Sequence, residues 1–307
     1  MRRLLLLGLV GLAAQLVDGT LGMAYGVTTT TLLLATGYAA VVASAAVHLA
    51  ETGTTLASGL AHWRLGNVDW RLVLRLGVPG AVGGFLGATA LAWLSTESSK
   101  PWTSGVLLAL GIYILIRFSL KPWQAREGGA LRGRFLVPLG FVGGFIDATG
   151  GGGWGPVTTP ALLSTGRVTP RTTIGSVDTS ELLVALAASA GFLLSMDRST
   201  IPYDAILPLL IGGLIAAPLA AWLVRLMPTP ILGVLVGWIV IQTNTRTILK
   251  AFGVDDSTRM LAYAVIAAVS LVAFATAVAR WRREGGAGDD AEGESGLVAL
   301  AEGSAAA

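Results

Sequence analysis

Two glycine clusters and a few carboxylates, set in otherwise apolar sequence, are the residues with chemistry to offer. Gly22 and Gly26 frame the first cluster; Gly151, Gly152, Gly153 and Gly155 form the second. Such runs cannot hold a stable helix, and non-helical backbone at membrane depth is tolerated only against protein or a water-filled cavity. A break there frees backbone N–H groups at the start of the next helical piece, a position that attracts anions. Thr29 and Thr30 follow the first break, Thr158 and Thr159 the second, and their hydroxyls add donors. These residues are the candidate substrate-binding set. Close helix packing through small residues is the alternative use of the same glycines.

The second set is a polar network. Asp18 and Asp147 end the apolar runs that precede the breaks, and Glu51 and Glu181 lie well inside long apolar stretches. His48 and Glu51 are three residues apart, as are Asp178 and Glu181, so each pair shares a helix face. An isolated ionised carboxylate in hydrocarbon is costly; such groups face a cavity, pair or take up protons. Proton coupling is the functional reading of these six residues. The structural alternative has Asp18 and Asp147 capping the broken backbone and His48 as a satisfied core group.

The elements that must position these groups are helical and membrane-embedded. Of 307 residues, 53% are hydrophobic and 13% charged, with a mean hydropathy of +0.71. A soluble domain carries about 25% charged residues, so this chain has too little polar surface for water. Apolar segments fall at 3–17, 27–36, 38–62, 70–95, 101–120, 135–147, 156–166, 170–195, 204–227, 229–245 and 258–280. The longer ones reach the roughly 20 residues that span a bilayer; 27–36 and 156–166, the two shortest, do not. The start, Met1-Arg2-Arg3 before an apolar run, has the form of a signal peptide. The same pattern recurs at 135–147, where cleavage is implausible, so it is read as a structural helix. No cysteine is present and only two histidines, which excludes a thiolate site and argues against a His-rich zinc site. No phosphate loop, nucleophile elbow or HExxH pattern occurs. The chain is therefore expected to be no enzyme, to hold no cofactor or metal, and to contain no ATP-driven motor.

Charge is unevenly distributed. Residues 1–283 carry all 21 Lys and Arg against 12 acids, a net +9, and the tail 284–307 carries six acids and no base. In a membrane protein this excess marks cytoplasmic loops rather than nucleic-acid binding. Trp63, Trp70, Trp93, Trp102, Trp123, Trp222 and Trp281 fall near segment ends, as interfacial belts do. Arg71, Arg75 and Arg225 are placed to snorkel, while Arg167 and Arg171 either anchor topology or recruit anions at a vestibule.

The chain repeats itself. At an offset of 129, residues 18–37 match 147–166 at ten of twenty positions, including Asp18/Asp147, Gly22/Gly151, Gly26/Gly155, Thr29/Thr158 and Thr30/Thr159. After a one-residue slip Glu51 aligns with Glu181 and His48 with Asp178; back at the offset of 129, Pro79, Gly83, Gly84 and Trp93 match Pro208, Gly212, Gly213 and Trp222. Shared apolar composition does not produce matched Asp, Thr, Glu and Pro. The organisation is a first repeat at 1–120, a basic cytoplasmic linker at 121–134, a second repeat at 135–250, an extra helix at 251–283 and a disordered acidic tail at 284–307. If each repeat opens with a re-entrant hairpin the halves are inverted; if with one broken span they are parallel. Arg280, Arg282 and Arg283 after the last helix favour a cytoplasmic tail and so the inverted form. The fold class is an all-α polytopic membrane protein of two repeats with broken or re-entrant Gly-rich helices, the usual plan of a secondary transporter.

Residues 140–166, GFVGGFIDATGGGGWGPVTTPALLSTG, followed by Ile174-Gly175-Ser176, resemble the hallmark of the TauE/SafE sulfite-exporter family, and the duplication, basic central loop and length fit as well. The resemblance covers about 1–280. It implies a multi-pass permease of a bacterial or archaeal cytoplasmic membrane whose partner is a small anionic solute, sulfite or an organosulfonate first. The first half departs from the pattern: Asp18–Gly26 is poorer in glycine, and Thr31 stands where the second half has Pro160. The membrane acids motivate two rivals, a cation or metal-ion permease and an embedded enzyme using Asp178, Glu181 and His48.

Overall fold

In this computed structural model the described residues are 2–94, 96–120, 131–165, 167–223 and 229–304. Within them, side chains are described except at 2–3, 20, 96–100, 164, 170, 198, 221–223, 229–230, 232 and 284–304. Eleven α-helices and no strand form among them: α1 (Arg2–Leu21), α2 (Tyr25–Ala35), α3 (Ala40–Arg64), α4 (Trp70–Trp93), α5 (Thr96–Leu120), α6 (Gly133–Gly150), α7 (Trp154–Thr165), α8 (Pro170–Ser195), α9 (Tyr203–Leu223), α10 (Thr229–Ala251) and α11 (Asp256–Ser304). The expected linker largely falls outside the described residues, as do the side chains of Trp123, Trp222, Arg225 and the tail 284–307.

Helix ends follow local chemistry. Asp69 caps α4, accepting from Arg71 N at 2.9 Å and Leu72 N at 3.3 Å. Thr169 caps α8, with Pro170 supplying a first-turn residue whose missing N–H costs nothing there. The two short apolar segments are the short helices α2 and α7, 11 and 12 residues long, each set off from its predecessor by three non-helical residues.

Packing pairs helices far apart in sequence: α4 lies on α6 and α8, α1 on α9, α5 on α10, and α3 on both α8 and α9. Glycine makes the closest crossings possible. A Cβ on Gly83 would sit 2.0 Å from Phe141 O in the α4–α6 contact, and one on Gly212 2.0 Å from Gly8 O in the α9–α1 contact. Without a hydrophobic force between helices in lipid, such close backbone approach is what drives association.

The distribution of polarity is that of a membrane protein. Leu74, Val78, Val82 and Leu86 project outward from α4, and Leu207, Ile211, Ile215 and Leu219 from α9. Inside lie Gln15, Asp18, His48, Glu51, Asp147, Asp178 and Glu181, none more than 8% exposed. Five described helical stretches are long and apolar enough to cross a bilayer: Trp70–Trp93, Pro101–Leu120, Arg171–Ser195, Tyr203–Ala220 and Asp256–Arg283. The last is only 11% buried and lies along the outside of the bundle.

Candidate functional site

The two backbone breaks meet. α1 ends at Gly22 (φ +66°) and α2 begins after Ala24, which adopts φ +108°. α6 ends at Gly151 (φ +68°), and Gly152 carries φ +143° before α7. A Cβ on Gly26 would lie 2.6 Å from Gly152 Cα, and one on Gly155 2.5 Å from Met23 Cα. Thr30 Oγ1 donates to Gly151 O, and Thr159 Oγ1 donates to Gly22 O at 2.6 Å. These two crossing bonds join positions equivalent under the offset of 129. Between the breaks, where Gly26, Gly152, Gly153, Gly155 and Glu181 form the walls, no space is left for a water molecule.

Not every expected donor is free. Asp18 Oδ1 accepts from Tyr25 N at 3.2 Å; Asp147 Oδ1 accepts from Gly153 N at 2.7 Å and Trp154 N at 3.1 Å. Each aspartate therefore caps the short helix that follows it, and the foremost amides expected to face a solute hold a protein carboxylate. Thr29 Oγ1 turns back to Tyr25 O at 2.6 Å and Thr158 Oγ1 to Trp154 O at 2.6 Å, so these hydroxyls spend their protons within their own helices. Gly22, Gly26, Thr30, Gly151, Gly152, Gly155 and Thr159 are brought together; Thr29 and Thr158 are beside them with their donors turned away.

The acids form two buried groups of like construction. In the first, His48 and Glu51 of α3 meet Asp147 of α6; in the second, Asp178 and Glu181 of α8 meet Asp18 of α1. In each, one ligand atom per residue lies within 4.8 Å of the others, a geometry able to hold a metal ion. The groups differ in their internal bonding. His48 Nδ1 is 2.8 Å from Ser44 O, which can only accept, so Nδ1 carries hydrogen. Nε2 faces Asp147 Oδ2 at 3.1 Å, within hydrogen-bonding distance. The second group has no such base. Both oxygens of Glu51 and both of Asp178 are buried without a hydrogen bond of ordinary geometry.

Two basic mouths lie at the far ends of the short helices. A cavity of about 350 Å³ at the end of α2 is lined by Leu34, Gly37, Thr243, Thr247, Arg246 and Lys250. One of about 420 Å³ at the end of α7 is lined by Thr165, Phe135, Arg132, Arg134 and Arg167. Arg167 lines this cavity. Arg171 does not: it donates to Leu65 O at 2.9 Å and to Asn67 Oδ1, tying α8 to the α3–α4 turn.

Sequence reading missed several supports. Ser44 Oγ donates to Ala148 O at 2.7 Å, Thr103 Oγ1 to Thr149 O at 3.0 Å, and Trp154 Nε1 to Val177 O at 3.1 Å. Asn244 Nδ2 donates to Thr31 Oγ1 at 2.9 Å, where the second half has Pro160 instead of a hydroxyl. Arg246 and Lys250 were also missed, although their spacing of four in α10 puts them on one face.

The family model described as sulfite exporter TauE/SafE matches residues 7–247. The chain is 48% identical over 275 residues, covering 89% of it and 92% of the relative, to the probable membrane transporter protein YtnM of Bacillus subtilis (strain 168). It is 26% identical over 181 residues, 58% of the chain and 73% of the relative, to the probable membrane transporter protein YdhB of the same organism. No solved structure matches it. With the family model matching residues 7–247 and a probable membrane transporter 48% identical over 89% of the chain, the chain belongs to the TauE/SafE family of membrane transporters.

Proposed function

We propose that the protein moves a small oxyanion, sulfite or an organosulfonate first, across the cytoplasmic membrane by alternating access around the crossing breaks. The observation that carries this reading is the pair of basic mouths, Arg246 and Lys250 at the end of α2 and Arg132, Arg134 and Arg167 at the end of α7. A mouth lined with positive charge concentrates anions and repels cations. Between the mouths the breaks are closed to water, as an occluded state requires. Opening toward one mouth at a time would expose Gly26 and Gly155, whose amides the aspartates do not take, beside Thr30 and Thr159. In this reading the halves are inverted, α1–α2 and α6–α7 enter from opposite faces, and each mouth serves one side.

The test is flux in proteoliposomes of purified protein, with radiolabelled sulfite and isethionate. Saturable uptake, with KM raised several-fold in the Arg246→Ala/Lys250→Ala variant and Vmax little changed, is expected. Transport of a divalent metal without anion flux, abolished in Glu51→Gln and Glu181→Gln, would replace the anion reading with a metal-ion permease.

A further inference from the structure

The two buried acid groups are built alike but are not charged alike. Where the first has the imidazole of His48 against Asp147, the second has the carboxylate of Asp178. The first group thus contains its own cation-forming partner. The second, Asp18, Asp178 and Glu181, puts three carboxyl groups together in the bundle interior, exposed by 2%, 1% and 6%. No Lys, Arg or His pairs with any of them among the described residues.

Asp178 is the informative member. Both its oxygens are buried and neither makes a hydrogen bond of ordinary geometry, although Asp18 and Glu181 stand within 4.8 Å and Ser58 and Asp18 lie at the margin of hydrogen-bonding reach. A polar side chain left bare in the interior is costly, and a bound water or ion is one of the explanations for it. Asp18 offers its remaining carboxylate oxygen, since Oδ1 is engaged with Tyr25 N. On the facing turn of α3, where Gly59 packs against Thr179, the buried Ser58 Oγ has Asp178 as its neighbour at the margin of hydrogen-bonding reach and supplies a neutral oxygen.

We infer that Asp18, Asp178 and Glu181 form a binding site for a hard cation of sodium or calcium size. Oxygen donors no more than 4.8 Å apart suit an ion coordinated at about 2.3–2.6 Å. An all-oxygen, all-carboxylate set without nitrogen or sulfur selects hard cations over zinc or copper. The ion takes, in the second group, the electrostatic place that His48 fills in the first. Glu181 also forms part of the wall between the breaks, so an ion here touches the region the proposed solute must cross. That link to transport rests on the proposed function; the binding itself does not.

Equilibrium binding to purified protein in detergent separates the two. With ²²Na⁺ and, in a parallel arm, ⁴⁵Ca²⁺, one arm is expected to show saturable binding at one ion per chain, and the arm that saturates names the ion. Asp178→Asn and Glu181→Gln are each expected to weaken that binding at least tenfold, while Asp197→Asn, at an exposed carboxylate outside the bundle, binds as wild type. Absence of saturable binding of both ions to the wild-type protein overturns the site. So does saturable binding that survives in either variant with unchanged affinity and stoichiometry. The wild-type arms decide even if a variant fails to fold. Binding without any anion flux in the liposome assay keeps the cation site and removes the transport reading; flux without binding does the reverse.

Discussion

Replacing Gly152 by alanine tests the contact on which the site is built. Gly152 has φ +143°, and an added Cβ would fall 2.1 Å from Val27 N and 2.2 Å from Gly26 C. Ordinary contact begins near 3.4 Å, so the breaks would have to part by about 1 Å, and the obstructing atoms are backbone, with no rotamer to yield. An alanine at that φ costs about 1–3 kcal/mol, and overpacking a close-packed site about 1–3 kcal/mol more, giving roughly 2–6 kcal/mol together. Two other glycines calibrate the scale. Gly37 has φ +100° but open space around it, so Gly37→Ala should show the backbone cost alone. Gly105 has neither positive φ nor a neighbour within 4 Å, so Gly105→Ala should be neutral or stabilising by about 0.5–1 kcal/mol. Thermal unfolding in detergent, followed by tryptophan fluorescence, reads the order. At about 2–4 °C per kcal/mol for a protein approaching this size, Gly152→Ala should melt roughly 5–20 °C below wild type, with Gly37→Ala between it and Gly105→Ala. A Gly152→Ala protein melting with Gly105→Ala would show that the breaks do not touch, and the closed crossing would have to be abandoned.

Three more outcomes follow from the same geometry. Asp147→Asn strips the charge from a carboxylate that serves Gly153 N, Trp154 N and His48, and should cost about 3–5 kcal/mol in the same melting assay; Asp18→Asn, with one amide bond at 3.2 Å, should cost no more than about 1–3 kcal/mol. Thr159→Val leaves Gly22 O buried without its 2.6 Å donor, whereas Thr158→Val removes a bond internal to α7; the first should lower the melting temperature more, by a difference of about 1 kcal/mol. At the surface, hydrogen bonds from Ser257 and from Thr258 N hold the Asp255 carboxyl well below the usual range. Its contribution to the start of α11 is therefore complete above the unfolded-state value and lost as pH falls through the folded one. Hydrogen exchange of the first α11 turn should be faster in Asp255→Ala than in wild type near neutral pH, and the two should converge in strong acid.

Much of the helical plan was legible because membrane helices are written in long apolar runs. Among the described residues the eleven apolar segments correspond to the eleven helices, and the two shortest became α2 and α7. The breaks were legible because glycine and a capping aspartate recur at matched positions. What the sequence could not show is which half each acid joins. His48 and Glu51 share a turn of α3, yet their third partner, Asp147, is 99 residues from His48. Asp18 likewise meets Asp178 and Glu181 rather than His48 and Glu51. Helical spacing reports only the i, i+3 pair; the crossing of α1 and α6 over to the opposite half is a tertiary fact set by glycine-lined contacts such as those at Gly83 and Gly212. The sequence-level expectation of free amides failed for a related reason. Asp18 and Asp147 were recognisable as caps, but whether a cap or a solute holds the foremost amides depends on where the carboxylate turns after Gly22 and Gly151 reverse the chain.

The position where the halves disagree most tellingly is His48 against Asp178. A duplicated scaffold that only packed would drift toward apolar residues there, since replacing a buried ion pair by hydrophobic side chains is often neutral or stabilising. Here one copy pairs its aspartate with an imidazole, and the other keeps three carboxyl groups with no base among them. His48→Asp would give the first group the composition of the second, and Asp178→His the reverse. If the carboxylates are held for a cation, Asp178→His abolishes ion binding and His48→Asp adds a second ion per chain. If they serve only as caps, neither exchange changes the stoichiometry, because Oδ1 of Asp18 and of Asp147 keeps its amide in both.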